Sequence, residues 1–239
     1  MKVLQRVQFE SIHDCLNKDI HRHETRVAET LRILAGFLPS DVRSGYGLSD
    51  EALQTAFYKG GMYHDIGKIV FDQKLFKTRR SAACQTIHNH LNQHPIVGLD
   101  FLSEYKHGIF ESEAERRICG DITVYHHERF DGKGYPFEYS HKKIPFAAQL
   151  CALADTFDNH VMQSPLLLGV NHAFETAYKK TMSDTGLAEQ TAMDCIVAAR
   201  EKIKEKYCSK KSVFRNKRML DTHRRVSEAQ FSISRQFEA

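Results

Sequence analysis

Histidine and aspartate residues that stand side by side are the most informative feature of this sequence. The chain contains 14 histidines. One of them precedes an aspartate in His64-Asp65, and two are adjacent in His126-His127. Asp155 lies inside an apolar run, LCALADTF, where a carboxylate suffers a large desolvation penalty unless it binds a cation or forms an internal ion pair. Imidazoles and carboxylates together suit first-row metals such as iron, manganese and zinc. The pattern indicates a metal site in which Asp65 bridges two ions.

The elements that must position these residues are predicted to be helices. Apolar residues recur at spacings of three and four, as in Val27, Leu31 and Leu34, and glycine and proline are sparse. We therefore predict an all-α fold. The expected helices cover residues 2–17, 19–38, 49–61 or beyond, 95–105, 112–127, 145–162, 173–182, 188–207 and 224–237, with an irregular connection over 67–86 and a loop over 131–143.

The bulk composition excludes several classes of protein. No run approaches eighteen apolar residues, so no membrane span is expected. The six cysteines form no C-x-x-C pair, which argues against a disulfide scaffold or a zinc ribbon. A net charge of +4 is too small to indicate binding of duplex nucleic acid. We expect a globular cytoplasmic protein.

One basic stretch near the C-terminus has two interpretations. It is either a solvated helix face or a surface that attracts phosphate. Its cations are Lys202, Lys204, Lys206, Lys210, Lys211, Arg215, Lys217, Arg218, Arg224 and Arg225.

Several motifs in a fixed order resemble the HD superfamily of metal-dependent phosphohydrolases, and within it the HD-GYP proteins. The matching segments are His23-Glu24-Thr25-Arg26-Val27, His64-Asp65-Ile66-Gly67-Lys68-Ile69, His94-Pro95-Ile96-Val97-Gly98, His126-His127-Glu128-Arg129-Phe130-Asp131-Gly132-Lys133-Gly134-Tyr135-Pro136 and Ala154-Asp155-Thr156-Phe157-Asp158. The resemblance covers about residues 19 to 160. It implies an HD-domain helical bundle, which we place at residues 1–165, with additional C-terminal helices over 166–239 packed on it.

The resemblance also implies a set of metal ligands. These are His23, His64, Asp65, His94, His126, His127 and Asp155, which would hold two divalent ions, iron or manganese, that share Asp65. Asp19, one helical turn before His23, would serve a third ion, or it is the N-cap of its helix. Lys68 would stabilise charge on the phosphate when activated water attacks phosphorus in line.

The implied reaction is hydrolysis of cyclic di-GMP to the linear dinucleotide or GMP. The loop with Gly132, Gly134, Tyr135 and Pro136 would shape the site and contact the substrate or a GGDEF-type partner. Arg129 and Asp131 are expected to form an internal ion pair that holds this loop.

The sequence departs from the family after Asp158. Many members continue with a basic Arg-Pro-Tyr-Arg-like segment that approaches the substrate phosphates, whereas this chain reads Asn159-His160-Val161-Met162-Gln163-Ser164. His160 or the basic stretch would have to compensate.

Two alternatives therefore stay open: a phosphohydrolase for another cyclic dinucleotide or nucleotide, and a binding or scaffold protein that kept its metals without turnover. The C-terminal helices have either a structural role or a covering or dimerising one, which leaves a homodimer open.

Overall fold

The described part of the chain is built from helices. The structure is a computed structural model that describes residues 2–72, 90–164 and 169–209. Within these ranges there is no β-strand, so the predicted all-α fold is confirmed. The helices are α1 (Lys2–His13), α2 (Lys18–Ala35), α3 (Ser40–Ser44), α4 (Asp50–Tyr63), α5 (His94–Glu104), α6 (Lys106–Ile109), α7 (Glu113–Tyr125), α8 (Phe146–Gln163), α9 (Val170–Met182) and α10 (Gln190–Cys208), with short 3-10 turns at Ile66–Val70 and His141–Lys143.

Capping residues set the helix starts, and one of them differs from the expectation. Ser49 caps α4 as predicted, because its hydroxyl accepts from the backbone N–H of Ala52. The N-cap of α2 is Asn17, whose side chain accepts from the N–H of Asp19. The alternative that Asp19 is the cap is therefore wrong. The cap thus lies two residues before the position that the sequence suggested, and its side chain satisfies an open N–H group of the first turn.

Two predicted helices end three or four residues earlier in the structure. The helix expected over residues 2–17 stops at His13, and turn bonds follow from Cys15 to Ile12 and from Leu16 to His13. The helix expected to reach Leu38 stops at Ala35, because the N–H of Gly36 turns back to the carbonyls of Ile33 and Leu34. The helix predicted over 224–237 and most of the 67–86 connection lie outside the described residues.

The main hydrophobic core joins α2, α4, α7 and α8 with the C-terminal helices. Leu31 of α2, Phe57 of α4 and Phe157 of α8 are fully buried in it, together with Phe174 of α9 and Ile196 of α10. α9 packs on α8, and α10 packs on α2, α8 and α9. The division into 1–165 and 166–239 falls at residues outside the described ranges and stays a prediction.

A second, smaller core holds the segment that follows α4. Ile66, in the 3-10 turn after α4, is buried with Phe9 of α1 and Leu102 of α5. This turn packs on α5, and α5 packs on α7. His64 and Asp65 are thereby fixed between the two cores.

The close approach of α2 and α4 generates the first prediction. A Cβ added at Gly61 would lie 2.5 Å from the Cα and 2.8 Å from the backbone N of Ala28. We expect Gly61→Ala to force the helices apart and to lower the free energy of unfolding by about 1–3 kcal/mol. Urea denaturation followed by circular dichroism measures this.

Gly120→Ala is the matched control. Gly120 also lies inside a helix, but the nearest heavy atom to its added Cβ is a leucine methyl at 3.4 Å. This substitution should be neutral or stabilise the protein by up to about 1 kcal/mol, the usual helix preference for alanine. Equal loss of stability in both variants would show that the contact with Ala28 does not limit packing.

Candidate metal centre

Helix ends bring the predicted ligands together. His64 and Asp65 directly follow α4, His94 opens α5, and His126 and His127 directly follow α7. Two further residues come from helix interiors, His23 of α2 and Asp155 of α8. The site thus lies where five segments meet.

Three histidines have the same ring orientation. The Nδ1 atom of His64 lies 2.8 Å from the carbonyl of Gly61, that of His94 lies 2.8 Å from Leu91 O, and that of His126 lies 2.9 Å from Thr123 O. Each carbonyl belongs to the residue three positions earlier and can only accept. Nδ1 therefore carries the proton in each ring, and Nε2 is left with a lone pair for a cation.

These lone pairs are directed at a carboxylate. Asp65 Oδ1 lies 3.3 Å from His94 Nε2 and 3.7 Å from His126 Nε2, and Oδ2 lies 3.4 Å from His64 Nε2. Among the described residues, His64 Nε2 and His126 Nε2 are buried and make no hydrogen bond. Acceptors that face one another without a proton repel. Two ligand atoms about 2 Å from a common cation lie roughly 3 to 3.5 Å apart, so these separations fit metal ligation.

The ligand atoms fall into two adjacent groups. Asp65, His94, His126 and His127 form one, and His23, His64 and Asp155 form the other; within each, the ligand atoms lie within 4.8 Å of one another. The two oxygens of Asp65 face different groups, because Oδ2 is also 4.0 Å from His23 Nε2. Seven predicted ligands are therefore in one place, in an arrangement that could hold two ions.

The electrostatics keep most of these groups in the form that metals require. Burial and the neighbouring histidines lower the pKa of His64 to about 3, and burial lowers that of His94 to about 4. Burial alone would raise the pKa of Asp65, but His64 and Lys68 hold it well below its ordinary value. The imidazoles of His64 and His94 are therefore neutral and the carboxylate of Asp65 is ionised at neutral pH.

His23 differs from the other imidazoles. Burial opposes its charge, but hydrogen bonds to Asp155 and Asp158 raise its pKa to about 10. Its Nε2 lies 2.9 Å from Asp155 Oδ1, and its Nδ1 lies 2.7 Å from Asp158 Oδ2. Arg26 donates to both oxygens of Asp158, at 2.6 and 2.9 Å. Sequence reasoning missed the roles of Asp158 and Arg26, although Arg26 stands three positions after His23, on the same helix face.

Three other predicted residues lie beside or outside the two groups. Lys68 forms an ion pair with Asp65 Oδ2. Asp19 lies 3.3 Å from Arg22, and its side chain is about half exposed. His160 Nδ1 bonds to Thr181 Oγ1 at 2.9 Å. The ligand roles and the third ion at Asp19 stay predictions.

The basic stretch is described only up to Lys206. Lys204 pairs with Glu175 at 2.8 Å, and Lys206 pairs with Glu29 at 3.1 Å. Lys202 lies over the ring of Phe37. These contacts favour the solvated-face interpretation for this part, and the cations from Lys210 onward lie outside the described residues.

The loop after α7 is held by the predicted ion pair and by further contacts that the sequence did not indicate. The predicted Arg129–Asp131 ion pair is confirmed at 3.0 Å, and Arg129 also makes two bonds of 2.8 Å to Asp184. Buried Glu128, which sequence reasoning left without a role, accepts from the N–H groups of Phe137 and Tyr139. Together these contacts tie the loop to α7 and to the connection between α9 and α10.

Glycines and an aromatic ring fit this loop against the ligand groups. Gly132 has a positive φ of 77°, and a Cβ at Gly134 would lie 2.5 Å from the backbone of Glu128. The neighbouring Tyr135 ring stacks on His127, with centroids 4.5 Å apart, and Pro136 follows it. Tyr135 thus closes one side of the first ligand group.

A third cluster of histidines lies around a different part of α2. His13, Asp14 and His21 also bring ligand-type atoms within 4.8 Å of one another. His13 Nε2, however, lies 3.1 Å from both Glu24 Oε2 and the Met62 carbonyl. This cluster is an internal hydrogen-bond network that links α1, α2 and α4.

Comparison with known proteins agrees with this geometry. The model of the HD domain family matches residues 46–176, more than half of the chain, and six of the seven ligand candidates lie within the match. The chain belongs to the HD domain family. Its relatives and motifs identify it as a member of the HD-GYP group, which confirms the resemblance.

Curated relatives of this HD domain share part of their length with it. A cyclic di-GMP phosphodiesterase of Thermotoga maritima is 30% identical over 147 residues, which are 62% of this chain and 36% of the relative. A cyclic di-GMP phosphodiesterase of Vibrio cholerae is 27% identical over 154 residues, 64% of this chain and 30% of the relative. A 3′3′-cGAMP-specific phosphodiesterase of Vibrio cholerae is 28% identical over 114 residues, 47% and 20% respectively. The chain spans about a third of the length of the first relatives.

In the part of the chain that the structure describes, none of the helices combines the length with the apolar composition that a membrane span requires.

The ion pairs of Arg129 generate a prediction about pH. Hydrogen bonds from Arg129 lower the pKa values of Asp131 and Asp184. Carboxylates with a lowered pKa stabilise the fold above their ordinary pKa of about 4 and lose that contribution as the pH falls through the lowered values. We expect Arg129→Met to reduce the free energy of unfolding by about 1 kcal/mol at pH 7 and by progressively less below pH ~4. Urea titrations between pH 7 and pH 3 measure the difference.

Lys133→Met is the control for this experiment. Its ammonium is 4.0 Å from Asp131, and the side chain is 81% exposed, so its removal should change stability little at any pH. A difference between Arg129→Met and the wild type that stays constant down to pH 3 would contradict the assigned ion pairs.

Proposed function

We propose that this chain is a metal-dependent phosphodiesterase that hydrolyses cyclic di-GMP to the linear dinucleotide or GMP. The observation that carries the proposal is the buried pair of ligand groups around Asp65, with unprotonated imidazole nitrogens directed at its carboxylate. The names of the three relatives reported above, each a cyclic-dinucleotide phosphodiesterase, support the substrate class.

The proposed ions are two of iron or manganese, held by the seven ligands, with Asp19 available for a third. Neutral imidazoles mixed with carboxylates admit either metal. Divalent cations there would supply the positive charge that activates water near neutral pH and offsets the charge of the phosphate. Asp65 is suited to bridge them, since Oδ1 faces His94 and His126 while Oδ2 faces His64.

The protein's own groups would orient the metal ligands and stabilise negative charge on the phosphate. The backbone carbonyls that accept from Nδ1 fix the rings of His64, His94 and His126, so these three ligands need no reorganisation. Lys68 is held at the site by its ion pair with Asp65 and is only 16% exposed. Its ammonium has further donors, which could bond to a phosphate oxygen as negative charge develops.

The substrate could differ from cyclic di-GMP. Residues 159–163 continue α8, and His160 in that stretch is bonded to Thr181. The segment that is basic in many family members therefore offers no arginine here. A hybrid dinucleotide such as the one named for the 3′3′-cGAMP-specific relative is the second candidate. A GGDEF-type partner at the 131–143 loop and a homodimer remain further predictions.

The first experiment combines metal analysis with product analysis. Protein purified without oxygen is expected to contain about two equivalents of iron or manganese and to convert cyclic di-GMP to products resolved by chromatography. His64→Ala and Asp65→Ala should abolish turnover and lower the metal content. His172→Ala, at an exposed position on α9, should match the wild type.

The outcomes separate the proposed functions. Turnover of 3′3′-cGAMP but not cyclic di-GMP would favour the second candidate. Two bound metals and tight nucleotide binding without product would favour a binding or scaffold protein. Wild-type protein that retains no metal would refute the assignment of the site.

The position of Lys68 generates a separate prediction. Lys68→Met should lower kcat by about 10²- to 10³-fold, the usual cost of losing one donor to developing charge. Metal content should not fall, because every ligand remains and a neighbouring positive charge is removed. Stopped assays with metal analysis of the same samples test both parts. Lys180→Met, on the exposed surface of α9, should be indistinguishable from the wild type. An unchanged kcat in Lys68→Met would exclude the proposed role.

A further inference from the structure

A tyrosine outside the matched family region reaches the surroundings of the metal site. The family match ends at residue 176, whereas Tyr207 lies near the end of α10, at Gln190–Cys208. Its hydroxyl donates to Asp158 Oδ1 at 2.8 Å. The ring is 4% exposed and packs edge-on against Phe157, with centroids 5.2 Å apart.

Asp158 receives four hydrogen bonds from three side chains. Oδ1 accepts from Tyr207 and from Arg26 Nε, and Oδ2 accepts from Arg26 and from His23 Nδ1. Asp158 is fully buried, so these bonds fix the carboxylate in one orientation. That orientation in turn fixes the ring of His23, whose Nε2 points to Asp155.

The arrangement is the one that tunes metal-binding histidines. An imidazole that donates its second nitrogen to a carboxylate is a better oriented and more basic ligand. His64, His94 and His126 donate to carbonyls of the preceding helical turn, whereas His23 depends on Asp158. Of these four rings, His23 alone is oriented by a side chain from another helix.

We propose that Tyr207 is a positioning residue for the His23 ligand group, so that α10 forms part of the metal centre. This inference rests on the proposed metal centre but not on its substrate. The group affected is His23, His64 and Asp155. The group of Asp65, His94, His126 and His127 is expected to be independent of it, because the rings of His94 and His126 are oriented by carbonyls three positions earlier in the chain.

The test is the rate at which bound metal is lost to a chelator. The 239-residue chain is loaded with Mn²⁺ and mixed with excess EDTA, and the released metal is followed with time. In Tyr207→Phe, one equivalent should leave about 10-fold faster than in the wild type, the lower end of what loss of an outer contact costs, and the other equivalent should leave at the wild-type rate. His23→Ala should not bind the equivalent that Tyr207→Phe releases quickly. Its absence would identify that equivalent as the metal of the His23 group.

Tyr178→Phe is the matched control. Tyr178 stacks on Phe174, on which Tyr207 also packs edge-on, and is half-buried on α9. Removal of the Tyr178 hydroxyl should leave the release rates of both metal equivalents unchanged. Phenylalanine at 207 keeps the ring, so the urea midpoint should change little.

Two results would overturn the inference. Equal release rates in Tyr207→Phe and the wild type would mean that Tyr207 only fills the core. Faster release of both equivalents, with a lower urea midpoint, would mean a general loss of packing. Because metal release is read without substrate, absence of cyclic di-GMP turnover would count against the proposed substrate alone.

Discussion

The structure depends on one electrostatic constraint, a buried carboxylate surrounded by imidazole nitrogens that carry no proton. Asp65 is 1% exposed, and His64 and His126 are as deeply buried. Burial favours the neutral form of His64, while the ionised carboxylate of Asp65 needs positive charge nearby. Lys68 supplies one such charge through its ion pair. The remaining lone pairs make the site a strong acceptor for cations, and the rest of the fold maintains this arrangement against repulsion.

Helix ends are what make the arrangement possible. A histidine just after a helix finds unsatisfied carbonyls of the last turn within reach of Nδ1. His64 and His126 use the carbonyls of Gly61 and Thr123 in this way. The same bonds satisfy the backbone, choose the tautomer and direct Nε2 inward. Close packing of α2 on α4 at Gly61 then brings His23 to the second side of Asp65.

Sequence reasoning could predict what is local in the chain. Helical periodicity predicted the all-α fold, and the motifs that resemble the HD-GYP family implied the seven candidate ligands, which the structure places in two adjacent groups. Asn17 rather than Asp19 as the cap of α2 could not be distinguished, since either side chain can accept from a backbone N–H at a helix start. The bonds of Asp158 to Arg26 and Tyr207 join residues 132 and 49 positions apart. The tertiary fold brings such residues together, so no local sequence pattern predicts these contacts.

The two ligand groups differ in what a cation must displace. His94 in the first group and His64 in the second are both neutral at neutral pH, because burial keeps their pKa values low. His23 is held protonated between Asp155 and Asp158, which raises its pKa to about 10. A cation that binds His23 must therefore displace a proton, whereas one that binds His94 or His64 need not. Asp158 favours the proton on Nδ1 in either state, so only the Nε2 proton is exchanged. The two halves of the centre, although they share Asp65, are thus chemically unequal, and the inequality originates in the side chains that surround His23.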